Sequence, residues 1–265
     1  MGPQPDRAEG LQRPVVVNRP QGRSAQQDRT ADATGAGDKN VPGLAARKAA
    51  AKLLAVVIDA KTPLDGLTDN DNGHPHYLAL DPRDRSLVRA ILTTALRFRV
   101  TIGKLLSKRL EKPLPPNATA LQHILHVAAA QILFLDVPDS AAVDLAVTHA
   151  KSDPRTTRFA ALVNGVLRSL ARGKDEELQP TLATTMDAPD WFSGRLTAAY
   201  GKDKATAILA AHRVEAPVDF TVKSDPELWA ERFGGIVLPT GGVRVEKLAA
   251  NVSDLPGFAE GEWCR

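Results

Sequence analysis

Cysteine is almost absent from this chain of 265 residues, since the only one, Cys264, lies next to the last residue. A single cysteine excludes an internal disulfide framework and any cysteine-rich metal site. The chain also lacks an apolar run of the roughly 18 to 20 residues that span a bilayer. Its first ten residues lack the apolar core of a secretory signal. We therefore expect a cytoplasmic protein with no membrane partner.

Recognisable catalytic motifs are missing as well. The sequence has no G-x-S-x-G, no Walker loop, no clustered acid pair and no glycine-rich nucleotide loop. His123 and His126 stand three residues apart on a predicted helix, but no neighbouring Cys, Asp or Glu completes a metal site. We expect both to be surface or boundary histidines. The sequence thus predicts no catalytic residue, no metal ligand and no cofactor site in this chain.

The net charge of +3 conceals an uneven distribution. Residues 45–172 carry 18 Lys and Arg against 11 Asp and Glu, whereas residues 173–265 carry 10 against 15. A basic middle segment favours a polyanionic partner such as RNA. Aromatic residues make up only 5% of the chain, and Phe98 is the one candidate in this segment for stacking on a base. We therefore expect recognition of RNA backbone and shape.

Composition divides the chain into three segments. Residues 1–43 are rich in Pro, Gly, Gln, Asp and Arg, which predicts a disordered tail. Apolar spacing over residues 44–173 predicts six or seven short helices in an all-α bundle that ends at Gly173. For residues 174–265 the pattern predicts two linker helices, followed by two or three weak strands. These strands would be the start of a small, incomplete α+β subdomain. The expected fold class is therefore mainly α.

Residues 155–172 combine an apolar stripe with a basic face. Helical spacing places the following side chains on one side: Phe159, Leu162, Val163, Val166, Leu167 and Leu170. Arg168 and Arg172 lie one turn apart on the other side, and no acidic residue occurs in the segment. This arrangement suits a phosphate-bearing partner. A solubilising face on a packing helix would show the same pattern.

Basic residues in the first turns of predicted helices complement a helix dipole poorly, which indicates that they serve a partner outside the helix. The residues predicted to contact RNA are Arg47, Lys48, Lys52, Arg85, Arg89 and Arg168. A solvated face is the alternative explanation. Arg85 and Arg89 could also pair internally with Asp81 or Asp84.

Four segments together resemble the NusB-type helical domain: residues 45–57, 84–99, 121–138 and 159–170. Proteins of that family bind RNA through a basic N-terminal helix and take part in transcription antitermination. The resemblance therefore implies an RNA-binding helix that opens with Arg47.

The resemblance extends past residue 175, where a stand-alone antitermination factor would end. Pro189-Asp-Trp191, Tyr200-Gly201, the strand at 218–223 and Leu255-Pro-Gly-Phe258 resemble the linker and first α/β subdomain of certain rRNA cytosine-C5 methyltransferases. These enzymes carry a NusB-type domain. The resemblance implies an N-terminal portion that docks ribosomal RNA and ends before the S-adenosylmethionine domain with its two active-site cysteines.

Two other functions remain open at this point. The chain could be a non-enzymatic antitermination protein that binds RNA and carries an appended module. It could also be a helical adaptor between proteins, with a ribosomal or transcription-complex protein as its partner. Salt-dependent RNA binding by residues 45–172 would separate the RNA-binding functions from the adaptor.

Overall fold

A computed structural model describes residues 41–248 and 252–264 of the chain. The chain divides into two compact units, with the division between Asp187 and Ala188. The predicted disordered tail, residues 1–43, lies outside the described residues except for residues 41–43.

The first unit is helical. Its elements are α1 (Leu44–Ile58), α2 (Leu64–Leu67), α3 (Pro75–Leu78), α4 (Pro82–Arg97), α5 (Arg99–Ser107), α6 (Thr119–Phe134), α7 (Asp139–Ser152), a 3-10 turn (Thr157–Phe159) and α8 (Ala160–Thr184). Helix α4 begins with a capping residue, since Asp81 accepts a hydrogen bond from the Asp84 amide at 2.8 Å and Pro82 occupies the first turn.

Helix α6 forms the centre of this unit. It packs against α1, α4, α5, α7 and α8, and every residue from His123 to Leu133 is buried. A helix that is apolar on all sides is expected to lie inside a protein, and the run Ala128–Ala130 lets the surrounding helices come close. The all-α bundle predicted from the sequence is confirmed.

Helix α8 is longer than the sequence predicted. The prediction that the helix ends at Gly173 is wrong, because α8 continues without interruption to Thr184. The ion pair between Lys174 Nζ and Asp139 Oδ2, 2.7 Å apart, ties the continuation to the start of α7. Glycine more often ends a helix than continues it. The helix continues through Gly173 because tertiary contacts stabilise the residues that follow.

Gly173 serves close packing. A Cβ atom at this position would lie 2.7 Å from Nη2 of Arg109. The Arg109 guanidinium crosses the helix there and forms an ion pair with Glu177, with 2.6 Å between Nη2 and Oε1. The absence of a side chain therefore makes room for a cation from the end of α5.

The apolar stripe of α8 is confirmed at Val163, Val166, Leu167 and Leu170, all of which are buried. The prediction for Leu162 is wrong, because this side chain is exposed. The stripe facing the core is therefore narrower than helical spacing alone indicated.

The second unit begins with a helical hairpin and ends in a small sheet. Its elements are α9 (Asp190–Tyr200), α10 (Lys202–Ala211), β1 (Val218–Val222), α11 (Pro226–Phe233), β2 (Ile236–Val237), β3 (Val243–Val245), a 3-10 turn (Val252–Asp254) and β4 (Trp263–Cys264). The two predicted linker helices and the predicted strands are confirmed. Helix α11 and strand β4 were not predicted from the sequence, although Asp225-Pro226 is a helix-start signal.

The four strands form an antiparallel sheet in the order β2-β3-β1-β4. Phe220 pairs with Val243 across β1 and β3, and Val222 pairs with Trp263 across β1 and β4. Helix α11 contributes Trp229 to the core beneath this sheet. The second unit is thus a small α+β subdomain with its own apolar core.

Candidate nucleic-acid interface

A groove of about 280 Å³ lies between α1, the first turn of α6 and the end of α7. We call it the α1 groove. Its polar and charged lining consists of Lys48, Lys52, Asp59, Thr119, His123, His149, Asp153 and Arg155. Two of the six residues predicted to contact RNA, Lys48 and Lys52, therefore share one concave surface.

Three cations surround the α1 groove. Lys48 and Lys52 lie one turn apart on α1, and Arg155 follows the end of α7 with a side chain that is 77% exposed. Nη2 of Arg155 lies 2.6 Å from Oδ2 of Asp153. The hydrogen bond from this guanidinium lowers the pKa of the Asp153 carboxyl to about 2, so the pair stays ionised at neutral pH.

The first turn of α6 adds backbone donors to the same groove. The helix begins at Thr119, and Ala118 before it provides no side-chain cap. Thr119 and Ala120 line the groove, and the amide groups of a first helical turn favour anions.

His123 lies at the base of the groove. Its Nε2 donates a hydrogen bond to Oδ2 of Asp59 at 2.9 Å, and its side chain is only 5% exposed. His126, one turn further along α6, is also buried, and Nδ1 donates to the carbonyl of Gln122. The expectation of surface or boundary histidines is wrong because α6 is surrounded by other helices.

Arg47 occupies a different environment from the one predicted. Its residue is 9% exposed, Nε donates a hydrogen bond to Oε1 of Gln131 at 2.9 Å, and Nη1 donates to the Gly43 carbonyl at 3.2 Å. Burial lowers the pKa of the guanidinium, while nearby Asp84 acts in the opposite direction. The interpretation of Arg47 as an exposed cation is wrong, and its contact with RNA stays a prediction.

Arg85 and Arg89 hold the loop between α2 and α4. Arg85 donates to the carbonyls of Leu80 and Leu78, and Arg89 donates to the carbonyl of Thr68. Both guanidinium groups lie over the ring of Tyr77, 5.7 and 5.8 Å from its centroid. Both arginines thus bond to backbone carbonyls and not to the Asp81 and Asp84 carboxylates considered from the sequence. Arg85 is half-buried and Arg89 is exposed, and their contact with RNA stays a prediction.

Arg168 is exposed on α8, where its Nε donates to Oδ1 of Asn164 at 2.9 Å. It does not line the α1 groove. Conversely, His149 and Arg155 line the groove and were not among the predicted residues. The sequence contained a signal for Arg155, because this residue begins the segment 155–172, which has no acidic residue. It contained none for His149, because the position of that side chain depends on how α7 packs.

Within residues 41–248 and 252–264, no group of three or more His, Cys, Asp or Glu side chains could hold a metal ion. In the same part of the chain, no helix is long and apolar enough to cross a membrane.

The helical first unit, which contains the α1 groove, matches a known protein family. Residues 44–172 match the NusB family, and this part of the chain is a NusB-family domain. The match coincides with α1 to the middle of α8, and so it includes the whole α1 groove.

Similarity to curated proteins extends further along the chain. The chain is 35% identical over 230 residues to ribosomal RNA small subunit methyltransferase B of Xanthomonas campestris pv. campestris, covering 83% of this chain and 50% of that protein. It is 32% identical over 231 residues to the protein of the same name from Xylella fastidiosa strain Temecula1, covering 83% and 51%. The chain thus spans about half the length of these relatives.

One solved structure has a similar fold. The chain described as the crystal structure of PH0851 matches with a TM-score of 0.50 at 15% identity, covering 85% of this chain and 53% of that one. At this identity the likeness concerns the fold alone.

Proposed function

We propose that the chain binds RNA through the α1 groove of its NusB-family domain. The observation that carries this proposal is the meeting of Lys48, Lys52 and Arg155 with the uncapped first turn of α6 on one concave surface. Ammonium and guanidinium groups beside free helix amides suit the phosphate oxygens of a nucleic-acid backbone.

Charge favours a polyanion over a small anion. Besides its three cations, the groove contains two carboxylates, Asp59 and Asp153, and each has a partner. The excess of positive over negative charge inside the groove is therefore modest. The wider segment 45–172 has seven more Lys and Arg than Asp and Glu, so a long ligand would meet more positive charge than the groove alone provides.

A salt titration of RNA affinity tests this proposal. The full chain is compared with a Lys48→Ala/Lys52→Ala variant, using a structured ribosomal RNA fragment. The double variant should bind more weakly to all sequences, and the log–log salt slope should fall by about 0.7 to 0.9 for each lysine that contacts a phosphate. The matched control is Lys223→Ala/Lys247→Ala, which removes two exposed lysines from the acidic segment 215–265.

The control should bind like the unmodified chain. Equal affinity and equal slope for the unmodified chain and the Lys48/Lys52 variant would overturn the proposed groove. In that case the helical-adaptor hypothesis would be favoured.

We propose that the RNA is ribosomal and that the chain takes part in the methylation of this RNA. Similarity to the two methyltransferase B proteins covers 83% of the chain, and it therefore extends beyond the NusB-family domain into the second unit. That extension favours the methyltransferase hypothesis over a stand-alone antitermination protein. The chain would dock and orient ribosomal RNA in the cytoplasm for S-adenosylmethionine-dependent methylation at cytosine C5.

We propose that the described residues provide no site for S-adenosylmethionine. The described sheet is antiparallel throughout, whereas nucleotide-type cofactors bind where parallel strands lead into helices through glycine-rich turns. We assign no catalytic or cofactor-binding role to any residue of this chain. Calorimetry of the 265-residue chain with S-adenosylmethionine should give no binding heat, and micromolar affinity would contradict this assignment.

A further inference from the structure

Trp191 is the exposed tryptophan of the described chain. It lies in the first turn of α9, and its residue is 64% exposed, whereas Trp229 and Trp263 are buried in the core of the sheet. The next residue, Phe192, is half-buried and stacks on His212, the residue that follows α10, with 6.2 Å between ring centroids. This contact fixes α9 against α10 and leaves the indole of Trp191 at the surface.

Arg195 lies one turn after Trp191 and covers one face of the indole. Its guanidinium carbon lies 5.7 Å from the ring centroid. The cation limits the orientations of the ring without burying it. Exposed aromatic rings accompanied by arginine are what proteins use to stack unpaired bases and to attract the neighbouring phosphates.

The charge around this pair differs from that of the rest of the second unit. Residues 188–214 contain four Lys and Arg against two Asp, whereas residues 215–265 contain five Lys and Arg against nine Asp and Glu. The hairpin of α9 and α10 is therefore a basic surface next in sequence to an acidic one. This balance suits an anionic ligand.

The aromatic residue considered from the sequence is unsuitable for this role. Phe98 stacks on Phe134 with ring centroids 4.0 Å apart, and both belong to the edge of the first unit's core. A base cannot replace that contact without disturbing the core.

We infer that Trp191 and Arg195 form a stacking site for an unpaired base of single-stranded RNA. The inference rests on the proposed RNA-binding function and adds a base contact to the phosphate contacts of the α1 groove. A protein partner is less well supported, because docking faces for proteins are contiguous apolar areas. Asp190, Gly194 and Arg195 lie beside Trp191 in sequence and on the same turns of α9.

Tryptophan fluorescence of the full chain tests the inference. Trp191 is the exposed tryptophan of the described residues, so a ligand added to the solution should change its emission more than that of Trp229 or Trp263. Single-stranded oligouridine should quench this emission as it saturates the protein, because stacking brings a base onto the ring. An abasic ribose-phosphate strand of equal length should bind with little quenching. Binding itself is followed independently by the anisotropy of a dye on the RNA.

Substitutions provide the second arm. Trp191→Ala should weaken oligouridine binding by about tenfold, the size expected for one stacked base, and Trp191→Phe should restore most of it. Tyr200→Ala removes another exposed aromatic residue of α9 and should leave affinity unchanged. Affinity for the abasic strand should be the same in all four proteins.

Each contrary outcome has a distinct meaning. Saturation by oligouridine without quenching, or full affinity in Trp191→Ala, overturns the stacking site and leaves the α1 groove as proposed. Failure of oligouridine to bind at all also overturns the stacking site. Emission that shifts with protein concentration before RNA is added would show that a second copy of the chain covers Trp191, and would overturn it as well.

Discussion

Arg47 and Gln131 are 84 residues apart in the sequence and are joined by a buried hydrogen bond from Nε to Oε1 of 2.9 Å. The Gln131 amide in turn donates to the Val127 carbonyl at 2.9 Å. This relationship connects the first helix of the bundle to its central helix. Arg47 is the arginine to which the family resemblance assigns an RNA contact. The hydrogen bond makes this residue part of the folded core.

Arg47→Ala should therefore lower the free energy of unfolding. Removing the guanidinium leaves Oε1 of Gln131 without its donor in a buried place, which costs about 1–3 kcal/mol. Lys52→Ala on the exposed side of the same helix should change stability by less than about 0.5 kcal/mol. Urea denaturation followed by circular dichroism measures both, and equal stability of the two variants would contradict the buried role of Arg47.

Leu125→Ala should destabilise the first unit by about 2–4 kcal/mol, because the residue is fully enclosed on α6 and its truncation leaves a cavity. Leu162→Ala is the matched control, since the same substitution on α8 removes an exposed side chain. Thermal and chemical denaturation of both variants check this prediction. A large loss of stability in the control would show that Leu162 belongs to the core after all.

Stability should fall on acidification between about pH 6.5 and pH 4. Burial, the largest cause, lowers the pKa of His126 from 6.5 to about 4 in the folded chain. In this window the unfolded chain binds a proton that the folded chain does not, so the stability present above pH 6.5 is lost as pH falls.

An NMR titration of the histidine ring resonances measures this pKa directly. His76 is an exposed histidine suited to serve as the reference within the same protein. Protonation of His126 near pH 6.5 would contradict its burial. In the expected case, His126→Leu should flatten the pH dependence of stability between pH 4 and 6.5.

A fragment that ends at Gly173 should be less stable than one that ends at Asp187. The shorter fragment loses Glu177, the partner of Arg109 and Lys108. It also loses Asp187, whose carboxylate accepts hydrogen bonds from the amide and the hydroxyl of Thr101 at 2.8 Å each. Melting temperatures of fragments 41–173 and 41–187 measure the difference, and equal values would show that the end of α8 contributes nothing.

Arg85→Ala should loosen the loop between α2 and α4 and leave the α1 groove unchanged. The substitution removes the donors to two loop carbonyls and one of the two cations over Tyr77. We expect faster amide exchange for residues 68–80 with little change in the salt slope of RNA binding. A slope reduced as much as in the Lys48/Lys52 variant would make Arg85 a phosphate contact.

Local patterns in the sequence predict most of the helices, the strands β1 to β3 and the basic character of residues 45–172, but not α11 or β4. Helical periodicity and capping are local properties, since a stripe such as Val163, Val166 and Leu170 requires only neighbours three and four residues away. The same kind of local signal stands at the start of α4, where Asp81 caps the helix and Pro82 lies in its first turn, and the two predicted linker helices are α9 and α10.

Which charged and aromatic side chains face solvent depends on the packing of helices that are distant in the sequence. Arg47 is buried because Gln131 lies opposite it, His123 is buried because α6 is surrounded, and Gly173 lies within a helix because Arg109 crosses there. Each outcome depends on a residue tens of positions away. The α1 groove likewise exists because the packing of α1, α6 and α7 brings Arg155 and His149 to the face that carries Lys48 and Lys52.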